Sequence, residues 1–216
     1  MAELTRGMLD GLTKNGPTDP IQYYRRPLVG WLFRERINMG LRMLENRRYE
    51  RALEVGYGAG AVLLALAPSV GELSALDLDA APEPVAALLA QRGFSAKLTR
   101  GNVYQLPYDD QMFDLVVSFS VFEHLHEYEK GLAEVIRVLR PGGHFLLGMP
   151  AVNRMMEVGF RAIGFKGVED HHVTTPRAVS ARFDQLGLRP VQKQTLDFPI
   201  KGVRLYYTWL LEKIRS

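Results

Sequence analysis

The 216-residue sequence contains no cysteine. Disulfides, thiolate nucleophiles, iron–sulfur clusters and cysteine-ligated zinc are therefore excluded, and the absence fits a reducing compartment. A long apolar run is missing too. The longest suspect stretch, Val55 to Gly71, is uncharged, but Gly56, Gly58, Gly60 and Pro68 break it up. It falls short of the ~20 apolar residues a membrane helix needs, and reads instead as a buried strand, a glycine loop and a buried helix. The first residues, Met1 to Arg6, carry an early acid and no apolar run, unlike a secretory signal. A soluble, cytoplasmic protein is expected. Internal repeats and low-complexity tracts are also lacking.

What is present is ordinary for a folded domain: 47% hydrophobic and 24% charged residues, enough for one sizeable core with at most an appended cap. Charge is unevenly placed. Residues 1–50 carry net +3, residues 51–150 net −5 and residues 151–216 net +5. The basic ends do not make a nucleic-acid binder, because the arginines are dispersed and no nucleic-acid motif accompanies them.

Residues 1–26 read as a loose polar lead, with turn signals at Gly16-Pro17 and Asp19-Pro20. After Pro27, which suits a first helical turn, Val29, Phe33, Ile37, Leu41 and Leu44 recur at helical spacing. The period then changes. Strands are expected at Ala52–Val55, Leu73–Leu78, Ala96–Thr99, Phe113–Phe119 and His144–Met149. Helices are expected at Ala61–Ala67, Pro82–Arg92 and Glu127–Leu139, with Pro141-Gly142-Gly143 as a turn. That alternation predicts a parallel sheet with crossover helices on its faces. Further on, a helix is expected from Thr174-Thr175-Pro176 to Leu186, stopped by Gly187, and a strand over Pro190–Phe198. Val203–Ile214 is ambiguous between strand and helix.

A strand running through glycines into a helix lets a ligand approach bare backbone N–H groups. Gly56, Gly58 and Gly60 supply that geometry, and Asp77, 21 residues after Gly56, falls where a carboxylate can accept from both ribose hydroxyls. An adenosine-containing ligand at the carboxyl edge of the sheet is expected.

Leu53-Glu54-Val55-Gly56-Tyr57-Gly58-Ala59-Gly60 resembles the first motif of class I S-adenosylmethionine-dependent methyltransferases. The similarity continues through Gly101-Asn102-Val103, Leu106-Pro107-Tyr108-Asp109-Asp110, Phe113-Asp114-Leu115-Val116 and Glu123-His124-Leu125. It ends at Glu134-Val135-Ile136-Arg137-Val138-Leu139-Arg140-Pro141-Gly142-Gly143. This ordered block looks like the small-molecule subgroup that includes quinone-biosynthesis methyltransferases. The resemblance implies an α/β fold: a Rossmann-like, doubly wound, mostly parallel seven-stranded sheet with helices on both faces. To that it adds an N-terminal helical cap over 1–48, ahead of a methyltransferase domain over 49–216. The implied cofactor is S-adenosylmethionine, with S-adenosylhomocysteine as product. Glu54 and the loop Gly56, Tyr57, Gly58 and Gly60 would line its methionyl part, Asp77 its ribose and Leu78 its adenine. Asn102, where the family more often has Asp, would face the adenine amino group, and the Val103 N–H a ring nitrogen. Ser118, Phe119 and Ser120 would border the reacting methyl.

Methyl transfer needs no cysteine and no metal, and a hydroxyl or carbon-acid acceptor needs a base. His124, at the active edge, is the candidate general base. His171 and His172 are candidate substrate contacts. Adjacent histidines point in different directions, so no metal site is expected from that pair, nor from His124 with His126. The acceptor, a small molecule, would sit between the sheet edge and a cap formed by residues 1–48 and 151–175. Trp31 and Phe33 among arginines, and Tyr206-Tyr207-Thr208-Trp209, suggest a lid or a peripheral membrane contact, with packing onto the sheet as the alternative. Two rival functions remain at this level. A nicotinamide-dependent oxidoreductase has no Tyr-x-x-x-Lys pair to support it and no use for the Gly101–Gly143 block. A non-catalytic S-adenosylmethionine-binding or membrane-peripheral protein would keep the pocket without turnover.

Overall fold

In the computed structural model, residues 3–17, 19–151, 172–197 and 204–214 are described. Seven strands form one sheet: β1 (Tyr49–Val55), β2 (Val70–Asp77), β3 (Lys97–Arg100), β4 (Phe113–Phe119), β5 (Leu139–Pro150), β6 (Leu188–Asp197) and β7 (Arg204–Lys213). Their order is β3-β2-β1-β4-β5-β7-β6. The first five run parallel, and β7 lies antiparallel between β5 and β6. The described α-helices are α1 (Ile21–Tyr24), α2 (Pro27–Arg42), α3 (Ala61–Leu66), α4 (Pro82–Gln91), α5 (Tyr128–Val138) and α6 (Pro176–Ser180), with short 3₁₀ turns alongside them. The chain reverses direction across the sheet between β1 and β4, and such a switch point opens a crevice outside the carboxyl ends of the strands.

Period-two alternation divides the core between the two faces. Ala52, Ala75, Leu115, Val117, Leu146 and Leu210 face α2, α3 and α4, where Ile37, Leu41, Leu63 and Leu89 meet them, joined by Leu44 just past α2. Leu53, Leu76, Val116, Phe145, Leu147 and Leu211 face the other way, onto Leu132, Val135 and Val138 of α5. Strands covered on both faces must be apolar at nearly every position, which is why Phe113–Phe119 stands out in the sequence.

Part of the family-like block is structural. The Asp114 carboxylate accepts from the backbone N–H groups of Glu50 (2.8 Å) and Arg51 (3.1 Å), pinning the start of β1 to β4. Arg137 donates to the carbonyls of Leu106 (2.9 Å) and Tyr108 (2.8 Å), while Glu134 accepts from the Leu106 N–H at 2.7 Å. Together they fix the loop that follows Asn102.

Several expectations need correction. The N-terminal stretch is no loose lead: Leu4, Leu9, Leu12, Ile21, Tyr23 and Tyr24 are buried in the same core as the sheet. Pro141-Gly142-Gly143 is not a separate turn but lies inside β5, which leaves α5 directly; the register shifts opposite Phe113–Leu115 and Gly142 takes φ +75°. The helix after Thr175 is short. The Thr175 hydroxyl caps it by accepting from the Ala178 N–H (3.2 Å), it ends at Ser180, and a 3₁₀ turn at Asp184–Leu186 precedes left-handed Gly187. The ambiguous C-terminal segment is strand β7 over Arg204–Lys213. The end of the expected sixth strand, Phe198, and the start of the last segment, Val203, lie outside the described residues. Phe33 packs against Tyr23 and Tyr24, and Tyr206 and Trp209 are buried, so only Trp31 of those aromatics is exposed, at 55%. No described helix is long and apolar enough to cross a membrane.

Candidate active site

At the switch point the chain leaves β1 through Gly56, Tyr57, Gly58, Ala59 and Gly60. Gly56 has φ +86°, and a Cβ there would come within 2.2 Å of Val121 Cγ2. Its N–H donates to the Leu76 carbonyl at 2.7 Å, which folds the loop back over β2. Gly60, at φ +85°, starts α3 in the left-handed region, with room for no side chain against Val85. The bare backbone thus forms one wall of a cleft of about 550 Å³.

Asp77 ends β2 beside that wall. One carboxylate oxygen accepts from the Gly58 N–H (2.9 Å), and the other accepts from the N–H groups of Asp79 and Ala80 (2.9 Å each). A carboxylate has about four lone-pair sites; three are taken, so the group ties two loops together and Oδ2, which accepts only from Gly58, keeps acceptor capacity.

Sequence reading missed the third wall. The Asn15 amide donates to the carbonyls of Gly58 (3.0 Å) and Ala81 (2.8 Å), and its oxygen accepts from the Ala81 N–H (2.9 Å). The N-terminal segment thereby bridges the glycine loop and the entry to α4. The Asp19 carboxylate accepts from the N–H groups of Asn15 and Ile21. Burial raises the Asp19 pKa against those hydrogen bonds, and the nearby Asp77 charge adds to the rise. The Gly16-Pro17 and Asp19-Pro20 turns were visible in the sequence, but not what they turn toward.

Glu54 lies at the end of β1, 3% exposed, with Oε2 lacking a hydrogen-bond partner. Burial, reinforced by Asp77, holds its pKa well above the usual carboxylate range. Leu78, Asn102 and Val103 line the cleft beyond Asp77. The Asn102 side-chain oxygen accepts from the Tyr104 N–H (3.0 Å), which orients the amide.

At the other end of the cleft Phe119, Ser120, Glu123, His124 and His172 meet Tyr24 and Arg36. Ser120 has φ +58°. Its hydroxyl sits 3.2 Å from Arg36 Nη1 and 2.9 Å from the Tyr206 hydroxyl. Glu123, in the 3₁₀ turn Phe122–His124, is 1% exposed. Burial pushes its carboxyl up to about 8, despite Arg36 and the hydrogen bonds from its own N–H and Ser120. The N–H groups of Val173 (2.8 Å) and Thr174 (3.1 Å) both donate to the Glu123 carbonyl, and the Thr174 hydroxyl to the Leu125 carbonyl. That clasp sets His172 beside His124, ring centroids 5.2 Å apart.

The structure therefore gathers Glu54, Gly56, Tyr57, Gly58, Asp77, Leu78, Asn102, Val103, Phe119, His124 and His172 around one cleft. Gly60 shapes it from behind. Ser118 stays away from it: wholly buried within β4, it leaves the border to Phe119 and Ser120. His171 lies outside the described residues. Asn15, Asp19, Arg36 and Glu123 are additions. Glu123 stood inside a quoted motif, but nothing in the sequence distinguished a buried acid from a solvated one. Arg36 sits on the apolar stripe of α2, one residue before Ile37, and that position was its only signal.

The family described as "Methyltransferase domain" matches residues 53–147. An uncharacterized methyltransferase, YcgJ of Bacillus subtilis, is 33% identical over 115 residues, covering 52% of this chain and 46% of that protein. A phthiotriol/phenolphthiotriol dimycocerosates methyltransferase of Mycobacterium leprae is 36% identical over 100 residues, covering 44% and 36%. The matched region spans less than half the length of these relatives. Among solved structures, the N-methyltransferase NodS of Bradyrhizobium japonicum with bound S-adenosylhomocysteine superposes with TM-score 0.68 at 20% identity, over 99% of this chain and all of that one. The [4+2]-cyclase SpnF superposes as well, with TM-score 0.69 at 14% identity, over 99% of this chain and 94% of that one. Fold likeness by itself does not fix the chemistry.

Proposed function

We propose that this chain, whose residues 53–147 match a methyltransferase domain, is a class I S-adenosylmethionine-dependent methyltransferase that transfers a methyl group to an O, N or C atom of a small-molecule acceptor. The observation that carries the reading is the join of the glycine loop to Asp77 at the switch point, in a cleft whose far end gathers Glu123, His124 and His172. The residues present fit the cofactor. Glu54 offers an orphaned buried carboxyl oxygen to an ammonium group, and the glycine loop leaves bare backbone where a side chain at Gly56 or Gly60 would collide with Val121 or Val85. Asp77 would take the ribose, Leu78 and Asn102 the adenine end, and the Val103 N–H a ring nitrogen. When bound, the cofactor supplies an electrophilic methyl group on a sulfonium.

The chain's own residues then orient, exclude water and move a proton. Residues 1–48 act as the cap: Asn15 and Asp19 close the mouth above Gly58, and Phe33 and Arg36 from α2 wall the acceptor end. Positioning of the acceptor in such an enclosed site supplies much of the rate. His124, with its buried neighbour Glu123, takes the acceptor's proton, and His172 contacts the acceptor. A cytoplasmic setting is part of this reading, and a chain without cysteine fits such a reducing compartment.

Glu54 gives the reading a pH signature. Its folded pKa lies above the unfolded value, so it is held neutral in the free cleft, and ionising it costs stability as pH rises through the folded value. A cationic ligand beside it favours the carboxylate. Calorimetry in buffers of different ionisation enthalpy should therefore show proton release when S-adenosylmethionine binds below the folded pKa, with affinity increasing toward higher pH. Glu54→Gln should abolish both effects.

The activity itself is tested with methyl-labelled S-adenosylmethionine and a panel of hydroxyl, amine and carbon-acid acceptors, reading label transfer and S-adenosylhomocysteine release. Acceptor-dependent turnover is expected. For a hydroxyl acceptor, His124→Ala should lower kcat by about 100-fold or more with unchanged affinity for S-adenosylhomocysteine. Turnover at the wild-type rate would remove the proton-accepting role.

A further inference from the structure

We propose that Glu123, His124 and His172 form a binding site for a divalent transition-metal ion of the zinc class at the acceptor end of the cleft. Sequence reading dismissed metal binding because neighbouring histidines diverge. The fold pairs different ones: His124 and His172 are 48 residues apart in the chain, and one ligand atom from each of Glu123, His124 and His172 lies within 4.8 Å of the others. Two imidazoles and one carboxylate are a ligand set that holds Zn²⁺ or Fe²⁺ while leaving positions open.

The second observation is independent of proximity. Glu123 Oε2 is buried in the wall of this cleft with no hydrogen-bond partner. A buried acceptor left in that state costs about 1–3 kcal/mol, and a cation bound there would satisfy it. Arg36 is the near positive charge, but its Nη1 and Nη2 donate to the Ser120 and Tyr24 hydroxyls, and its Nε, also buried, makes no hydrogen bond to Glu123. The histidines are also held in place by backbone. The clasp of Val173 and Thr174 on the Glu123 carbonyl, with Thr174 on the Leu125 carbonyl, joins the two ligand-bearing segments directly. Ligands about 2.1 Å from a tetrahedral zinc lie about 3.4 Å from each other, so atoms now within 4.8 Å of one another would close by at most about 1.4 Å, a movement within the reach of side-chain rotation.

The site as a metal site stands on this geometry alone; its use in methyl transfer rests on the function proposed above. There, the ion would act as a Lewis acid, so that an acceptor hydroxyl held by it would lose its proton to solvent water more readily than a free one. With the ion bound, His124 would hold the metal in place of taking the proton itself, and the favoured acceptor class is an alcohol or phenol.

The test is titration of the chelator-stripped full chain with ZnCl₂ alone, by competition with a chromogenic chelator, alongside S-adenosylhomocysteine titration of the same samples. One equivalent of zinc should bind. Glu123→Gln and His172→Ala should each weaken it by about 100-fold or more, while His126→Ala, an exposed histidine outside the trio, changes nothing. Retained S-adenosylhomocysteine binding shows that a variant is folded, and His172→Ala carries the test where Glu123→Gln is not. Absence of zinc binding in the wild type, or binding equally tight in wild type and His172→Ala, overturns the proposal. Zinc binding without S-adenosylhomocysteine binding would leave the metal site standing and overturn the methyltransferase reading.

Discussion

Asp77→Ala is expected to weaken S-adenosylhomocysteine binding by about 100-fold or more and to destabilise the fold by about 2–4 kcal/mol. Two separate losses combine. The carboxylate accepts from the N–H groups of Gly58, Asp79 and Ala80, and charge-assisted hydrogen bonds are worth about 1.5–3 kcal/mol each before water replaces some of them. Its removal also frees the glycine loop from the β2–α4 connection, so the cleft loses its shape as well as the acceptor for the ribose hydroxyls. Denaturant unfolding and ligand calorimetry on one preparation separate the two. Asp77→Asn keeps an acceptor oxygen and should fall between wild type and Ala in both. If Asp77→Ala binds S-adenosylhomocysteine normally, the ligand does not lie where this account puts it.

Gly56→Val should be the more damaging loop substitution, with about 3–4 kcal/mol lost and no measurable cofactor binding. Its Cβ would stand 2.2 Å from Val121 Cγ2, and φ +86° is costly for any side chain and most for a β-branched one. Val121 leads into the turn that carries Glu123 and His124, so any backbone displacement there reaches the acceptor end of the cleft. The contrast is Gly58→Ala. There φ is +48°, and a Cβ meets only the Asp19 carboxyl at 3.6 Å or more, so the fold should hold within about 1–1.5 kcal/mol. The methyl would still lie between the loop and the N-terminal cap, and ligand affinity should fall with little change in thermal stability. Equal melting temperatures for Gly56→Val and wild type would contradict this description of the loop.

The parts of the fold that could be read in advance are those whose signal is local. Phe113–Phe119 is apolar at nearly every position and forms β4 as expected. Pro82 and Gly93 bracket α4, and the strand–glycine–helix passage with Asp77 downstream marked one wall of the cleft. The failures are positions where distant contacts decide. Leu4, Leu9 and Leu12 fit neither a helical nor a strand period, yet all three are buried against the core through folding of the N-terminal segment. Asn15 matters only because Gly58 and Ala81 come to it. Ser118 was placed at the cleft by its position near the strand's end; the sheet buries it, and the cleft begins one residue later. His124 was legible as a cleft residue, but its partner is His172, brought by hydrogen bonds to Glu123 and Leu125 that no local pattern encodes.

The most direct measurement is calorimetric titration of the purified full chain with S-adenosylhomocysteine, S-adenosylmethionine and NADH. Saturable one-to-one binding of both sulfur ligands, with no heat from NADH and with binding lost in Asp77→Ala, is the expected result. Binding of NADH alone, or silence toward all three in a folded sample, would contradict the account.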